Sequence, residues 1–461
     1  MNDLPTELVP RFRTDRPNET VKVIADRMSL IRDDEVLLSG DGEIEMCWLP
    51  SPGVRFSIKR KSEYPHEFFK YLGDPIPQGC KIVLESSGKR LPVFVTSHSF
   101  PEGFRMYHGR VQDDAIPSTF EIKEATFHLA NFKAVLCEAV AYQQGGGSRL
   151  GRFRLEADGW TIIVDDIQNG GRHGDLEKQL DAQGGYAITH VGRIARADGG
   201  AFTGDQCTVL HDRLFWFFSF CRCCKTGPIL VGLTGKNENE NRLSLVERSV
   251  SSWQYRSSWV PETEFQVLPL LFPGFLKRIN EPSWSDTIAY AIHWYLEVHD
   301  QSGAIQGAIV FGQTALEMLG WSLLVDDLRN ISREGYDKLP ASDKIRLLLT
   351  TVGVPREIPL SFTRLLQAAK AENWQDGPDA VSGIRNRIVH SSADKRKALS
   401  RVEFSAICEA WELCLWYNEL TLLRLFDYSG QYFDRTRSAK YRSEGHAPVP
   451  WAANGQVGKP L

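Results

Sequence analysis

Two textures of apolar and polar positions divide the chain. Residues 1–30 are polar with a short amphipathic stretch. From about 34 to 140, apolar residues alternate with polar ones in short runs bounded by Gly, Pro and Ser. Examples are Glu43-Ile44-Glu45-Met46-Cys47-Trp48, Val54-Arg55-Phe56-Ser57-Ile58 and Lys81-Ile82-Val83-Leu84-Glu85. A period of two places alternate side chains on opposite faces and predicts half-buried strands. Strand patterns resume after Gly145-Gly146-Gly147-Ser148, at 152–156, 160–164 and 186–191. A helix fits 205–222, where Leu210, Leu214, Phe217 and Phe218 recur at helical spacing, and strand-like stretches follow near 228–233 and 243–258.

Beyond Pro273 the spacing becomes helical. Helices fit 284–299, 303–325, 342–352, 359–372, 378–391 and 400–426. Strands followed by helices predict an α+β multidomain fold, a β-rich region (sandwich or curved sheets) preceding an all-α bundle. The predicted units are residues 1–270, with a break near 145–150 that could divide them into two sub-domains, then a bundle over 280–430 and a C-terminal tail over 431–461.

Composition narrows the classes. The 461 residues are 42% hydrophobic and 24% charged, which suits a globular protein rather than a disordered one. Net charge is −4, so nucleic acid binding would need a local basic patch. The nine scattered cysteines read as reduced thiols of a cytoplasmic protein. No uninterrupted apolar run reaches the roughly 20 residues of a membrane span, so no membrane association is expected. Met1-Asn2-Asp3-Leu4-Pro5 lacks the pattern of a signal peptide.

The segment with chemical content is Asp379-Ala380-Val381-Ser382-Gly383-Ile384-Arg385-Asn386-Arg387-Ile388-Val389-His390. On a helix, Asn386 and His390 are four apart and share a face, with Arg385 on its flank. Asn386 could orient the imidazole by a hydrogen bond. RNA carries its own nucleophile, the 2′-hydroxyl, so its cleavage needs a proton donor or acceptor and fixed positive charge, but no metal. Imidazole supplies the first and a guanidinium fork the second. A position at the helix C-terminus favours imidazolium, suited to protonating the leaving oxygen. The neighbouring Arg387, Lys395, Arg396, Lys397 and Arg401 form a basic excess that an RNA backbone could use.

Arg-Asn-x-x-x-His followed by a long apolar helix, here Phe404 to Leu425, resembles the HEPN superfamily, most nearly its Apea-like group. Phe311-Gly312-Gln313-Thr314-Ala315-Leu316-Glu317-Met318-Leu319 resembles that family's central helix. The resemblance implies a helical bundle that dimerises, with two Arg–His motifs facing one another as a composite ribonuclease site. By it, Arg385 and His390 are catalytic, Asn386 is orienting, and Glu317 and Arg387 are supporting. It further implies an RNA substrate, no cofactor, and a defence role of the toxin or abortive-infection kind. The β-rich region would sense an unknown trigger or ligand. The competing reading is a non-catalytic sensor or adaptor whose bundle only dimerises or binds a nucleotide; a weaker one has the β-rich region bind carbohydrate or peptide.

Other signals have plainer readings. Cys207, His211, Cys221 and Cys224 could assemble a zinc site, but the Leu and Phe residues between them favour a buried helix. His293 and Glu297 share a helix face and fit a surface or interhelix hydrogen bond, and Gly312 and Gly320 fit close packing points. Trp253-Gln254-Tyr255-Arg256-Ser257-Ser258-Trp259 fits core or interdomain contact better than a stacking platform for bases.

Overall fold

The computed structural model describes residues 4–61 and 76–452, apart from 102, 113, 136, 143–146, 168–174, 238–239, 246–247, 262–265, 302–303, 391 and 438–444. Gly145 and Gly146, Met1–Asp3 and the end of the C-terminal tail therefore lie outside the described residues.

The first six strands are β1 (Val21–Arg32), β2 (Glu35–Cys47), β3 (Gly53–Lys61), β4 (Cys80–Leu84), β5 (Arg90–Ser99) and β6 (Phe104–Val111). They close into an antiparallel barrel in the order β1-β2-β3-β6-β5-β4. The alternation read from sequence is the reason. Val54, Phe56 and Ile58 on β3, and Leu91, Val93 and Val95 on β5, turn inward and are buried.

A second sheet has eight strands: β7 (Glu121–Ala130), β8 (Glu138–Ala141), β9 (Ser148–Ala157), β10 (Trp160–Asp166), β11 (Ile188–Arg196), β12 (Phe202–Thr203), β13 (Ile229–Gly235) and β14 (Asn241–Ser244). The order is β14-β13-β7-β11-β10-β9-β8, with β12 beside β7. β8 and β9 pair directly, so the glycine run near 145–150 joins neighbouring strands of one sheet. The chain passes from barrel to sheet between β6 and β7.

Two helices accompany the sheet, α1 (Asp175–Gln183) and α2 (Gly204–Arg222). Thr203 and Gln206 form a reciprocal capping box at the start of α2. The inward groups of α2, Leu210, Leu214, Phe217 and Phe218, are buried. The stretch 243–258 holds strand only to Ser244 among the described residues; its described remainder is irregular chain anchored by buried Trp253.

The helical region starts earlier than its sequence suggests. α3 (Val267–Asn280) runs through Leu271-Phe272-Pro273-Gly274, the segment expected to be a boundary. Leu271, Phe272 and Phe275 are completely buried there. Proline sits inside the helix, and Gly274 permits close approach to the main chain of Phe426. α4 (Ser285–Asp300), α5 (Ala304–Trp321, continued by a π-helical turn Ser322–Asp327), α6 (Arg333–Asp337), α7 (Ala341–Val352), α8 (Thr363–Glu372), α9 (Gly377–Val389), α10 (Ala393–Leu399) and α11 (Phe404–Leu425) follow. Gly312 of α5 meets Cys414 and Val298, so a Cβ there would clash with the Cys414 sulfur and crowd Val298.

Among the described residues, the one helix long and apolar enough by length and composition to cross a membrane is Ala304–Asp327. Scattered polar residues such as Gln313 and Glu317 hide it from a search for uninterrupted apolar runs. Here it is the central helix of the bundle, packed against α4, α7, α9 and α11. The tail carries structure of its own. β15 (Gln431–Phe433) and β16 (His446–Pro448) form a hairpin, and Tyr432, Val449 and Trp451 are buried in the same continuous core as sheet and bundle.

Candidate functional site

The motif helix α9 is fixed at its start by charge. Asp376 caps it, its side chain accepting from the Asp379 N–H at 3.0 Å, and Pro378 occupies the first turn. Arg346 of α7 grips this end, donating to Asp376 through Nε at 2.7 Å and to Asp379 at 3.1 Å. Val381 and Ile384 are wholly buried along the inner face. Gly377 lies against Tyr417 of α11, and Gly383 lies under the Trp374 indole. The start of α9 is thus held by one arginine clamp, and its inner face by apolar packing.

Arg385 and Asn386 lie in the last turns. Arg385 Nη1 donates to Asn386 Oδ1 at 3.4 Å, whereas Arg385 Nε is buried without a hydrogen-bond partner among the described residues. A buried N–H left unpaired is costly, and a ligand acceptor would relieve it. His390 is the C-cap, in extended conformation (φ −90°, ψ 117°), with its main-chain N–H donating to the Asn386 carbonyl at 3.3 Å. Its side chain is exposed. Asn386 therefore meets His390 through the main chain; its side-chain oxygen accepts from Arg385, and no side-chain bond from Asn386 to the imidazole forms among the described residues.

Past His390, the exposed helix α10 is capped by Ser392, whose hydroxyl accepts from the Lys395 N–H at 3.3 Å. It carries Lys395, Arg396 and Lys397 into solvent, and exposed Arg401 follows in the next turn. These four cations lie close in sequence to the end of α9, as a phosphate-binding patch would require.

The two supporting residues are placed differently from the motif. Arg387 points away, donating to Glu372 at 2.5 Å and to the Ala398 carbonyl at 3.4 Å, and covering the Trp374 ring at 5.1 Å. Its hydrogen bond holds the Glu372 carboxyl below the ordinary range. Arg387 ties α8, α9 and α10 together. Glu317 accepts from Gln313 Nε2 at 2.7 Å, and its main-chain oxygen accepts from Tyr336 at 3.1 Å. No hydrogen bond or ion pair links Glu317 to Arg385 or His390 among the described residues.

Sequence reasoning missed a buried charged knot. Arg435 chelates Glu419 of α11, with Nε and Nη2 both at 2.7 Å from the carboxylate. Tyr295 donates to the same carboxylate at 2.7 Å, and His299 approaches at 3.8 Å. Burial pushes the Glu419 carboxyl up, yet Arg435 and His299 overcome it and leave it below its usual value. Burial pushes His299 down to about 4, against the bond from Glu419. Arg435 also donates to the Ser257 carbonyl, so the knot fastens the tail and the 256–259 segment to the bundle. Glu419 in the apolar run Trp416-Tyr417-Asn418-Glu419-Leu420 was the available signal, because a buried carboxylate demands a cation.

The remaining candidates are structural. Cys207 Sγ lies 3.8 Å from His211 Nε2 within the core, where burial pushes the thiol up to about 12 and the imidazole down to about 3. Cys221 and Cys224 are also buried, and no group of three or more potential ligands is arranged for a metal among the described residues. His293 and Glu297 are 4.0 Å apart, with Lys225 3.5 Å from the same carboxylate. Trp253 donates to Asp181 and Trp259 to the Phe220 carbonyl, as core anchors.

Against known proteins, a model of the YopA central domain matches residues 118–256, and one of the YopA C-terminal domain matches residues 281–446. These spans are the second sheet with α2, and the bundle with its hairpin. A protein of Bacillus subtilis (strain 168) described as SPbeta prophage-derived uncharacterized protein YopA is 28% identical over 325 residues, covering 69% of each chain. No solved structure matches. Through two successive domain matches and this relative, the chain is related to the YopA proteins.

Proposed function

We propose that this protein is a metal-independent endoribonuclease of the HEPN type, cutting RNA at a composite site made by two copies of the α9 end. The single observation that carries this reading is the convergence at one helix terminus of three features. They are the exposed imidazole of His390, the Arg385 guanidinium with a buried unpaired Nε, and the exposed cations of α10. The 2′-hydroxyl attacks the adjacent phosphorus as an imidazole of the composite site takes its proton. Arg385 carries the charge of the phosphorane oxygens, and Lys395, Arg396, Lys397 and Arg401 hold flanking phosphates. His390 donates the proton that the 5′-oxygen needs to leave. Asn386 holds the Arg385 fork in place. A defence role fits an RNA-cutting effector; the prophage origin printed for the relative belongs to that protein alone.

One observation favours the adaptor reading. Among the described residues of one chain no bond joins Arg385 to His390, so a site built on both is complete only if a second copy supplies a partner. His390→Ala separates the readings. Cleavage of RNA by the purified full chain should fall about 100-fold or more, with the wild-type rate unchanged by EDTA. Cleavage that survives the substitution, or that chelation abolishes, overturns the proposal.

A further inference from the structure

The central helix of the bundle has one open side. α5 packs against α4, α7, α9 and α11, yet only 61% of its most apolar stretch is buried. α4 and α5 run antiparallel, with Thr287 beside Ser322 at 3.2 Å, Trp294 beside Phe311 and Val298 beside Gly312. Helical spacing puts Val310, Phe311, Thr314 and Met318 on the outer face of α5, and Tyr290 and Trp294 on one face of α4. The Trp294 indole stacks on Phe311, with ring centroids 5.4 Å apart and planes 19° from parallel. Tyr290 is 59% exposed and Thr314 is exposed, while the other four are half-buried. Together they form one apolar face across two helices.

Charge decides what can cover it. No Lys or Arg occurs between Ser285 and Asp327. A nucleic acid would find no cation there, and a helix lying on a membrane surface carries Lys or Arg beside its apolar face. The acids of this span are answered within the chain, Glu297 by Lys225, Asp300 by Arg256, Asp326 by Arg333, Asp327 by Arg278 and Glu317 by Gln313. The exception, Asp286, lies in the first turn of α4, at one end of the face. The centre is therefore neutral, and a copy of itself meets no repulsion there. Extent fits as well. α5 has 18 residues and is about 27 Å long. With α4 packed about 9 Å away, the face spans about 500 Å², so two copies bury about 1,000 Å², as a specific interface requires.

We propose that a second copy of this chain docks on the α4–α5 face, with the two α5 helices crossing at Thr314 and the Tyr290, Trp294, Phe311 and Met318 side chains packed around the crossing. A two-fold axis across α5 at right angles keeps both α9 helices on the same flank of the pair, because α9 packs along one side of α5. In supplying the second α9 end the interface rests on the composite-site reading above; as a surface for self-association it stands on the apolar face alone.

The test is sedimentation equilibrium of the full chain. The wild type should be dimeric at about 10 µM, with a constant that added salt leaves within about twofold, since no charge pair holds the face. Thr314→Arg brings two unanswered guanidinium groups together at the crossing and should weaken the dimer about tenfold or more. Tyr290→Glu should weaken it likewise, and Thr314→Ser should not. Thr314 and Tyr290 are exposed, so these variants should melt at the wild-type temperature. RNA cleavage by Thr314→Arg should fall with the dimer and recover as its concentration is raised. His390→Ala should dimerise as the wild type does, so failure of the nuclease reading would leave the interface standing. A monomeric wild type, a dimer that salt dissolves, or Thr314→Arg and Tyr290→Glu variants that associate as the wild type does overturns the proposal.

Discussion

The end of α9 and the knot around Glu419 are both built from arginine, histidine and a side-chain oxygen, yet they do opposite things. In the knot, every group is buried and answered. Arg435 is bidentate on Glu419, Tyr295 adds a hydroxyl, and burial keeps His299 neutral down to about pH 4. Such a network is saturated, and no substrate atom could enter it. At the α9 end, His390 is in solvent and Arg385 keeps one buried N–H unanswered. Strong perturbation of titration draws attention to the knot. Unspent hydrogen-bonding capacity at an accessible place points to the helix end.

This contrast can be broken by substitution. The largest effect is expected at Arg435→Ala, which strands the Glu419 carboxylate in the core. Unfolding free energy should drop by about 3–5 kcal/mol in urea titration, and Glu419→Gln in the same chain should recover part of it. A loss below about 1 kcal/mol would mean the knot is not the fastening described.

Next comes acid sensitivity from another buried imidazole. His128 accepts from the Phe12 N–H at 3.2 Å and is pushed down to about 4 by burial. Its unfolded value is about 6.5, so the unfolded chain binds more protons between these limits. Stability from His128 is present above pH 6.5 and is lost as pH falls toward 4, by about 3 kcal/mol at the lower limit. His211, pushed down to about 3, adds to the same trend. Chemical denaturation from pH 7 to 4.5 should show the decline, and His128→Gln should flatten it. An unchanged slope in that variant would refute the assignment.

Arg387→Ala should cost about 1–2 kcal/mol, since it removes a charged hydrogen bond to Glu372 and the cover on Trp374. It should alter RNA cleavage far less than Arg385→Ala. The smallest effect on stability belongs to His390→Ala, within about 0.5 kcal/mol because the side chain is exposed. A large destabilisation by His390→Ala would make it a structural residue like His299.

Much of this was legible in the chain. Alternation over 43–58 and 81–96 gave the strands, and the 3.6-residue spacing gave α4, α5, α7, α9 and α11 nearly to their ends. Closure of β1–β6 into a barrel was not legible, because alternation reports one buried face and not what lies across from it. Pro273 and Gly274 read as a boundary, though tertiary burial of Leu271 and Phe275 keeps the helix running through both. Residues 428–451 lack periodicity, so the anchoring of Tyr432 and Trp451 could not be foreseen. At the site, Arg385, Asn386 and His390 were placed together by helical spacing. That Asn386 would accept from Arg385 depended on where α9 stops, at Val389. Arg387 was indistinguishable from Arg385 until Trp374 and Glu372 were placed beside it.

The most direct measurement is cleavage of a chimeric oligonucleotide, RNA throughout except for 2′-deoxy substitution at one mapped cut site. Attack by the 2′-hydroxyl predicts that this one bond resists the wild-type enzyme while the others are cut, leaving cyclic or 3′-phosphate and 5′-hydroxyl ends. Cleavage at the deoxy position would contradict the mechanism assigned to Arg385 and His390.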